Sequence, residues 1–259
     1  MTDAPAGEAA ETASAGRSVF ATDSSKTPAA RLGVAVVHDL VTVIVTGEVA
    51  PGESLPPEGV LSQHFGVSRT VVRESVKRVE EKGLVSVAQG RGTQVRPATS
   101  WNLLDPVVLS VLVENDRELG VLDEIAVVRA ALEGTMSAET AAHRSEDDLV
   151  RLQAAFAHMH DTIEDEDDYA QADADFHFLV MALSGNRLTE NITRVLFERA
   201  RQSSRFIGRP SREAFHLTLE EHRRVLEAIE AGDAAAAEEA MRVHITDAWN
   251  RRRQPTAKD

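Results

Sequence analysis

Ser68-Arg69-Thr70-Val71-Val72-Arg73-Glu74 follows directly on Phe65-Gly66-Val67, a turn with the glycine where a helix must stop. Ser68 is a natural N-cap, so a new helix begins at Arg69 and runs to about Lys82. Its first turn presents Ser68, Arg69 and Thr70, with Arg73 one turn further on the same side. Arginine forks onto guanine O6 and N7, while hydroxyls and a helix N-terminus hold phosphate, so this turn suits a DNA major groove. Upstream, Leu55-Pro56-Pro57-Glu58 opens a shorter helix, and Leu32–Thr46 forms an apolar one that ends at Gly47. Downstream, Gly83-Leu84-Val85-Ser86-Val87 reads as a strand leading to the glycine-rich tip Gln89-Gly90-Arg91-Gly92-Thr93. Three helices followed by a hairpin predict a winged helix-turn-helix over residues 30–97, with Gln89, Gly90 and Arg91 at the wing tip.

The chain carries a net charge of −14, which is unusual for a DNA binder. Residues 30–96 nevertheless hold eight Lys or Arg against seven Asp or Glu, so the acidity lies elsewhere. Local cation placement governs phosphate attraction. The absence of cysteine excludes disulfide frameworks and thiolate metal sites. No apolar run reaches membrane-spanning length and no secretory apolar segment opens the chain, so the expected setting is cytoplasmic, with no membrane partner. Residues 1–29, poor in apolar side chains, read as a disordered tail. Residues 98–120 read as a linker containing a short helix near Val107–Val113.

From residue 121 to 253 the pattern is helical throughout, making the fold class mainly α: a winged helix followed by an all-helical bundle. The expected helices are Leu122–His143, Asp147–Glu164, Tyr169–Leu183, Thr189–Phe206, Arg212–Glu230 and Ala234–Arg252. The acidic run Glu164–Asp168 reads as a solvated loop, and Arg251-Arg252-Arg253 as cations at a helix C-terminus. Asp173 and His177 stand four apart on one helix face. His222 shares a stripe with Leu219, Val225, Leu226 and Ile229, and His244 one with Ala240, Met241 and Ala248. Spacing leaves two readings open. These are hydrogen-bonded core histidines, or they form an N3O site for a divalent ion, zinc or nickel first and manganese next.

Arg129 lies on the apolar stripe of Leu122, Ile125, Leu132 and Met136, where a charge needs a partner. Glu133, one turn on, is one partner; the carboxylate of a bound acid is the other. Thr218, one turn before His222, and Asn186 are weaker candidates for the same pocket.

Residues 30–97 resemble the winged helix of the GntR family of bacterial transcription regulators. The resemblance rests on Gly47–Pro56, Val67–Glu74 and Gln89–Thr93. It implies operator contacts at Ser68, Arg69, Thr70 and Arg73 and a minor-groove contact at the Gly90 position. Gly59 departs from the pattern, which usually has arginine there. Residues 121–250 resemble the helical effector (FCD) domain of the fatty-acid-regulator-type subfamily. Many members of that subfamily hold a metal through Asp-x-x-x-His and two later histidines, here Asp173, His177, His222 and His244. In that resemblance an arginine at the Arg129 position binds the carboxylate of an organic acid. The run Trp101–Pro106 resembles the linker of members answering to galactonate or gluconate. The reading is a homodimeric transcription regulator, a repressor on double-stranded operator DNA, controlled by a small carboxylate. The alternative is a metalloenzyme of small organic acids fused to a DNA-binding domain, although Asp175 is the only nearby candidate base and points away from the ligand face.

Overall fold

The computed structural model describes residues 28–88, 90, 92–203 and 212–253. Residues 1–27 of the expected tail and the wing-tip residues Gln89 and Arg91 lie outside the described residues, while Pro28 and Ala29 already belong to the first helix.

Helix α1 (Pro28–Val45) lays Val36, Val37, Leu40, Val41 and Ile44 into a core completed by α2 (Glu58–Phe65) and α3 (Arg69–Glu81). Gly66 stops α2 in the left-handed conformation (φ 62°), and the Ser68 hydroxyl accepts from the Val71 amide at 3.3 Å to start α3. Strands β1 (Val85–Ala88) and β2 (Gly92–Val95) pair antiparallel, Val85 opposite Val95, and both of these valines are buried. A bridge from Ser54 to Gln94 adds a third short edge. Gly83 has φ 82°, and a Cβ there would lie 2.2 Å from the Ser100 carbonyl oxygen, so the return of the chain past the hairpin requires glycine.

Helix α4 (Pro106–Asn115) is capped by Asp105, which accepts from the Val107 and Val108 amides. Its Val108 and Val111 belong to the winged-helix core. Its Leu109 and Val113 pack instead with Leu122, Ile125, Leu196 and Trp249 of the second half. The segment expected as a linker is thus buried on two sides. It is clasped to the end of α3 by Lys82 Nζ and Asp105, 2.6 Å apart and both largely buried.

The second half comprises α5 (Gly120–His143), α6 (Glu146–Asp161), α7 (Glu166–Leu183), α8 (Arg187–Gln202), α9 (Arg212–Ala231) and α10 (Ala234–Arg253). The acidic run is not a free loop. Asp165 accepts from the Asp167 and Asp168 amides and caps α7, and the following acids form its first turn, where the helix dipole favours negative charge. Helices α5 and α10 pack closely at Gly134, where a Cβ would come within 3.1 Å of the Glu238 carbonyl oxygen. No described helix is long and apolar enough to cross a membrane.

Candidate metal centre and DNA-facing helix

Asp173, His177, His222 and His244 come together from α7, α9 and α10, with ligand atoms all within 4.8 Å of one another. The three imidazoles are buried. His177 Nε2 stands 3.1 Å from His244 Nε2 and 3.2 Å from His222 Nε2. Asp173 Oδ1 lies 3.5 Å from His222 Nε2.

The outward nitrogens are all engaged. His222 Nδ1 donates to the Thr218 carbonyl at 2.8 Å, His177 Nδ1 faces Glu133 Oε2 at 2.6 Å, and His244 Nδ1 faces Glu221 Oε2 at 3.0 Å. A carbonyl or carboxylate accepts, so each Nδ1 carries the proton and each Nε2 turns a lone pair inward. Burial pushes His222 down to about 4 and His244 well below the ordinary imidazole range, which keeps both neutral near pH 7. Burial alone would raise the Asp173 carboxyl, but the charges of His222 and His177 outweigh it and hold it at about 2. Lone pairs facing one another at such distances call for a shared cation. The donor set, with its supporting carboxylates, fits a divalent metal.

Behind these ligands stands a second layer, of which sequence spacing exposed only the Arg129–Glu133 pair. Glu133 bridges His177 and Arg129, whose Nε donates to Glu133 Oε1 at 2.7 Å. Glu221 is gripped by both terminal nitrogens of Arg251, at 2.6 and 2.7 Å, and Arg251 also donates to the Thr218 hydroxyl at 3.1 Å. Arg253 pairs with Asp123 at 2.7 Å. The three terminal arginines are therefore not a solvated helix end. They reach back into the bundle, and Arg252 lines its cavity. Adjacency to His222 was the one local signal for Glu221; its partner Arg251 is thirty residues away, beyond any helical period.

The candidate metal centre opens on a cavity of about 210 Å³ bordered by Asp173, His177, His244, Arg129, Thr218 and Phe197, among others. Arg129 is buried, with its guanidinium over the Phe197 ring, 4.0 Å from the centroid. Of the two partners the sequence left open, Glu133 takes its Nε, and the residue also borders the cavity. Thr218 is at the cavity wall, its hydroxyl donating to the Ala214 carbonyl. Asn186 stands apart: it is exposed, and its side chain accepts from the Thr189 amide as the cap of α8. A helix start needs such a group, which accounts for the residue without a ligand. Asp175 is exposed and accepts from Gln171, away from the cavity. His158, His160 and His216 are likewise exposed.

On α3, Ser68, Arg69, Thr70 and Arg73 are all exposed. Arg73 forks onto Glu58, with Nε–Oε1 at 3.0 Å and Nη2–Oε2 at 2.8 Å. The Arg69 guanidinium lies over Gly59, its Nη2 3.3 Å from where a Cβ would stand. Gly90, at the wing tip, is exposed with φ 79°.

Residues 32–95 match the family described as bacterial regulatory proteins, gntR family, and residues 124–247 match the FCD domain. The galactonate operon transcriptional repressor of Escherichia coli is 28% identical over 228 residues, covering 85% of this chain and 96% of that protein. The transcriptional regulator LutR of Bacillus subtilis is 30% identical over 209 residues, covering 79% and 94%. The regulator Mce2R of Mycobacterium tuberculosis is 33% identical over 220 residues, covering 79% and 85%. A solved structure of Lar, described as controlling the Listeria monocytogenes agr system, shares the fold with a TM-score of 0.55 at 20% identity, over 85% of this chain and 96% of that one. With a winged helix, a helical partner domain and relatives of this kind along most of its length, the chain belongs to the GntR family of bacterial regulatory proteins, as a transcription regulator carrying an FCD domain.

Proposed function

We propose that the protein is a homodimeric repressor that binds an inverted-repeat operator, and that a small hydroxy or sugar acid, held beside a divalent ion, controls this binding. The observation that carries the reading is the convergence of three inward Nε2 lone pairs and Asp173 at the wall of a cavity that also contains Arg129. The named role of the Escherichia coli relative in a galactonate operon supports a sugar acid as the class.

Asp173, His177, His222 and His244 would hold the ion, zinc, nickel or manganese, and the ion would supply Lewis-acid affinity for carboxylate and hydroxyl oxygens. At a metal–nitrogen distance of about 2.1 Å, cis nitrogens lie about 3.0 Å apart in an octahedral shell and about 3.4 Å apart in a tetrahedral one. The separations of 3.1 and 3.2 Å lie between the two and are compatible with either shell. Arg129 grips the acid's carboxylate with its terminal nitrogens while Glu133 fixes its Nε. Ser68, Arg69, Thr70 and Arg73 read the operator, with Gln89, Gly90 and Arg91 at the minor groove. A two-fold protein matches a palindromic site.

The test is elemental analysis of protein purified without a nickel column, followed by gel shifts with galactonate, gluconate and lactate. We expect about one ion per chain, lost together with thermal stability in His222→Ala, and a several-fold change in operator affinity with an active acid, since allosteric coupling is commonly about 1–3 kcal/mol. Protein that binds no metal, or DNA binding indifferent to every acid, would overturn this reading.

A further inference from the structure

Three arginines, Arg129 from α5, Arg201 from α8 and Arg252 from α10, border the cavity beside the metal ligands. Phe197 stands between two of them, with its ring centroid 4.0 Å from the Arg129 guanidinium carbon and 5.9 Å from that of Arg201. Three acids border the same hollow, but they are not equivalent to the arginines. Asp173 belongs to the metal set. Glu166 and Asp167 are exposed in the first turn of α7, where water screens them. Deeper in, Arg129 gives only its Nε to Glu133, and its terminal nitrogens have no hydrogen bond among the described residues. Guanidinium groups gathered round one small hollow beside a divalent cation favour more negative charge than one carboxylate brings.

We infer that the effector carries two acidic groups. One meets the metal and Arg129, and the second is held by Arg252 and Arg201 across the apolar wall of Leu122, Ile125 and Trp249. The ligand class is a short polyhydroxy or hydroxy dicarboxylate. The cavity of about 210 Å³ confines the ligand to a small molecule. The inference rests on the proposed effector role of this cavity and adds the second anion subsite to it.

The test uses the zinc-loaded full chain and acids that differ by one carboxylate: lactate with malate, gluconate with glucarate, galactonate with galactarate. Calorimetry should find the diacid at least about tenfold tighter in one or more pairs, the worth of one charge-assisted contact. Arg252→Gln should narrow that gap. So should Arg201→Gln, the partly exposed position whose loss is the milder for folding. Zinc content and melting temperature of each variant distinguish a lost contact from a lost fold. If monoacids bind as well as diacids in every pair, or both variants weaken the two members equally, the second subsite falls and the carboxylate reading stands. If no acid of either kind binds, both fall.

Discussion

Arg69 and Arg73 share a helix face but not a situation. Arg73 is already forked onto Glu58, whereas Arg69 rests over the backbone at Gly59. If the operator is read by both, as proposed, its binding diverts or shares Arg73, while Arg69 needs only to swing out. Arg69→Ala should weaken operator binding by about 1–3 kcal/mol in gel-shift titrations. Arg73→Ala should do so as well, and its melting temperature should barely move, because exposed ion pairs contribute little. Unchanged affinity in both would remove α3 from the interface. A side chain at position 59 would compete with Arg69 for its resting place, so the departure from the family pattern at Gly59 has a structural counterpart. The buried imidazoles set a pH dependence for the metal-stripped protein. His222 falls from 6.5 to about 4 on folding, so the unfolded chain binds the extra proton between those values. Stability is therefore intact above about pH 6.5 and lost as pH falls toward 4, by up to about 3 kcal/mol from this group. Asp173, held at about 2, extends the loss below its ordinary value of 3.8 with the same sign. Melting curves of chelated protein from pH 7.5 to 4.5 check this; a flat profile would contradict neutral, buried histidines.

Helix α10 carries His244 on one turn and Arg251 and Arg252 two turns later, and it is held against α5 at Gly134, beside Glu133. A larger side chain there must push the two helices apart. Gly134→Val should cost about 1–3 kcal/mol in thermal melts and lower metal content, although the residue touches no ligand. Retained metal at full stoichiometry would show that the centre tolerates the shift. Much of this architecture was legible in the sequence because its signals are local. Gly66 and Ser68 mark the turn into α3, Asp233 caps α10 through the Ala236 amide, and the stripes through His222 and His244 point inward as their apolar neighbours require. What escaped was either polar at a helix start or remote in the chain. The acids at Asp165–Asp168 look like repelling, solvated charge until Asp165 is seen capping α7. Arg251 and Arg252 look like dipole complements until Glu221 and the cavity are placed beside them. Asn186 is of the first kind: its side chain caps α8, outside the cavity lining.

The two cores meet on α4, which under the proposed function is the junction that would pass the effect of a bound acid to the DNA-binding half. Lys82→Ala removes the clasp with Asp105 at the end of the recognition helix. It should leave metal content and basal operator affinity near wild type while reducing the acid-induced change in gel shifts. An undiminished response would mean the signal does not travel through this helix. Val111→Ala, on the winged-helix side of α4, should destabilise by about 1–3 kcal/mol through the cavity it leaves. The double-sided burial of α4 also governs how this regulator can be recombined. A sensor chimera cut after the hairpin, near residue 97, would strip Val108 and Val111 from the reading head and leave a raw apolar wall. A graft made at Asp116–Leu119 keeps that wall covered and asks the foreign module only to supply a pocket for Leu109 and Val113.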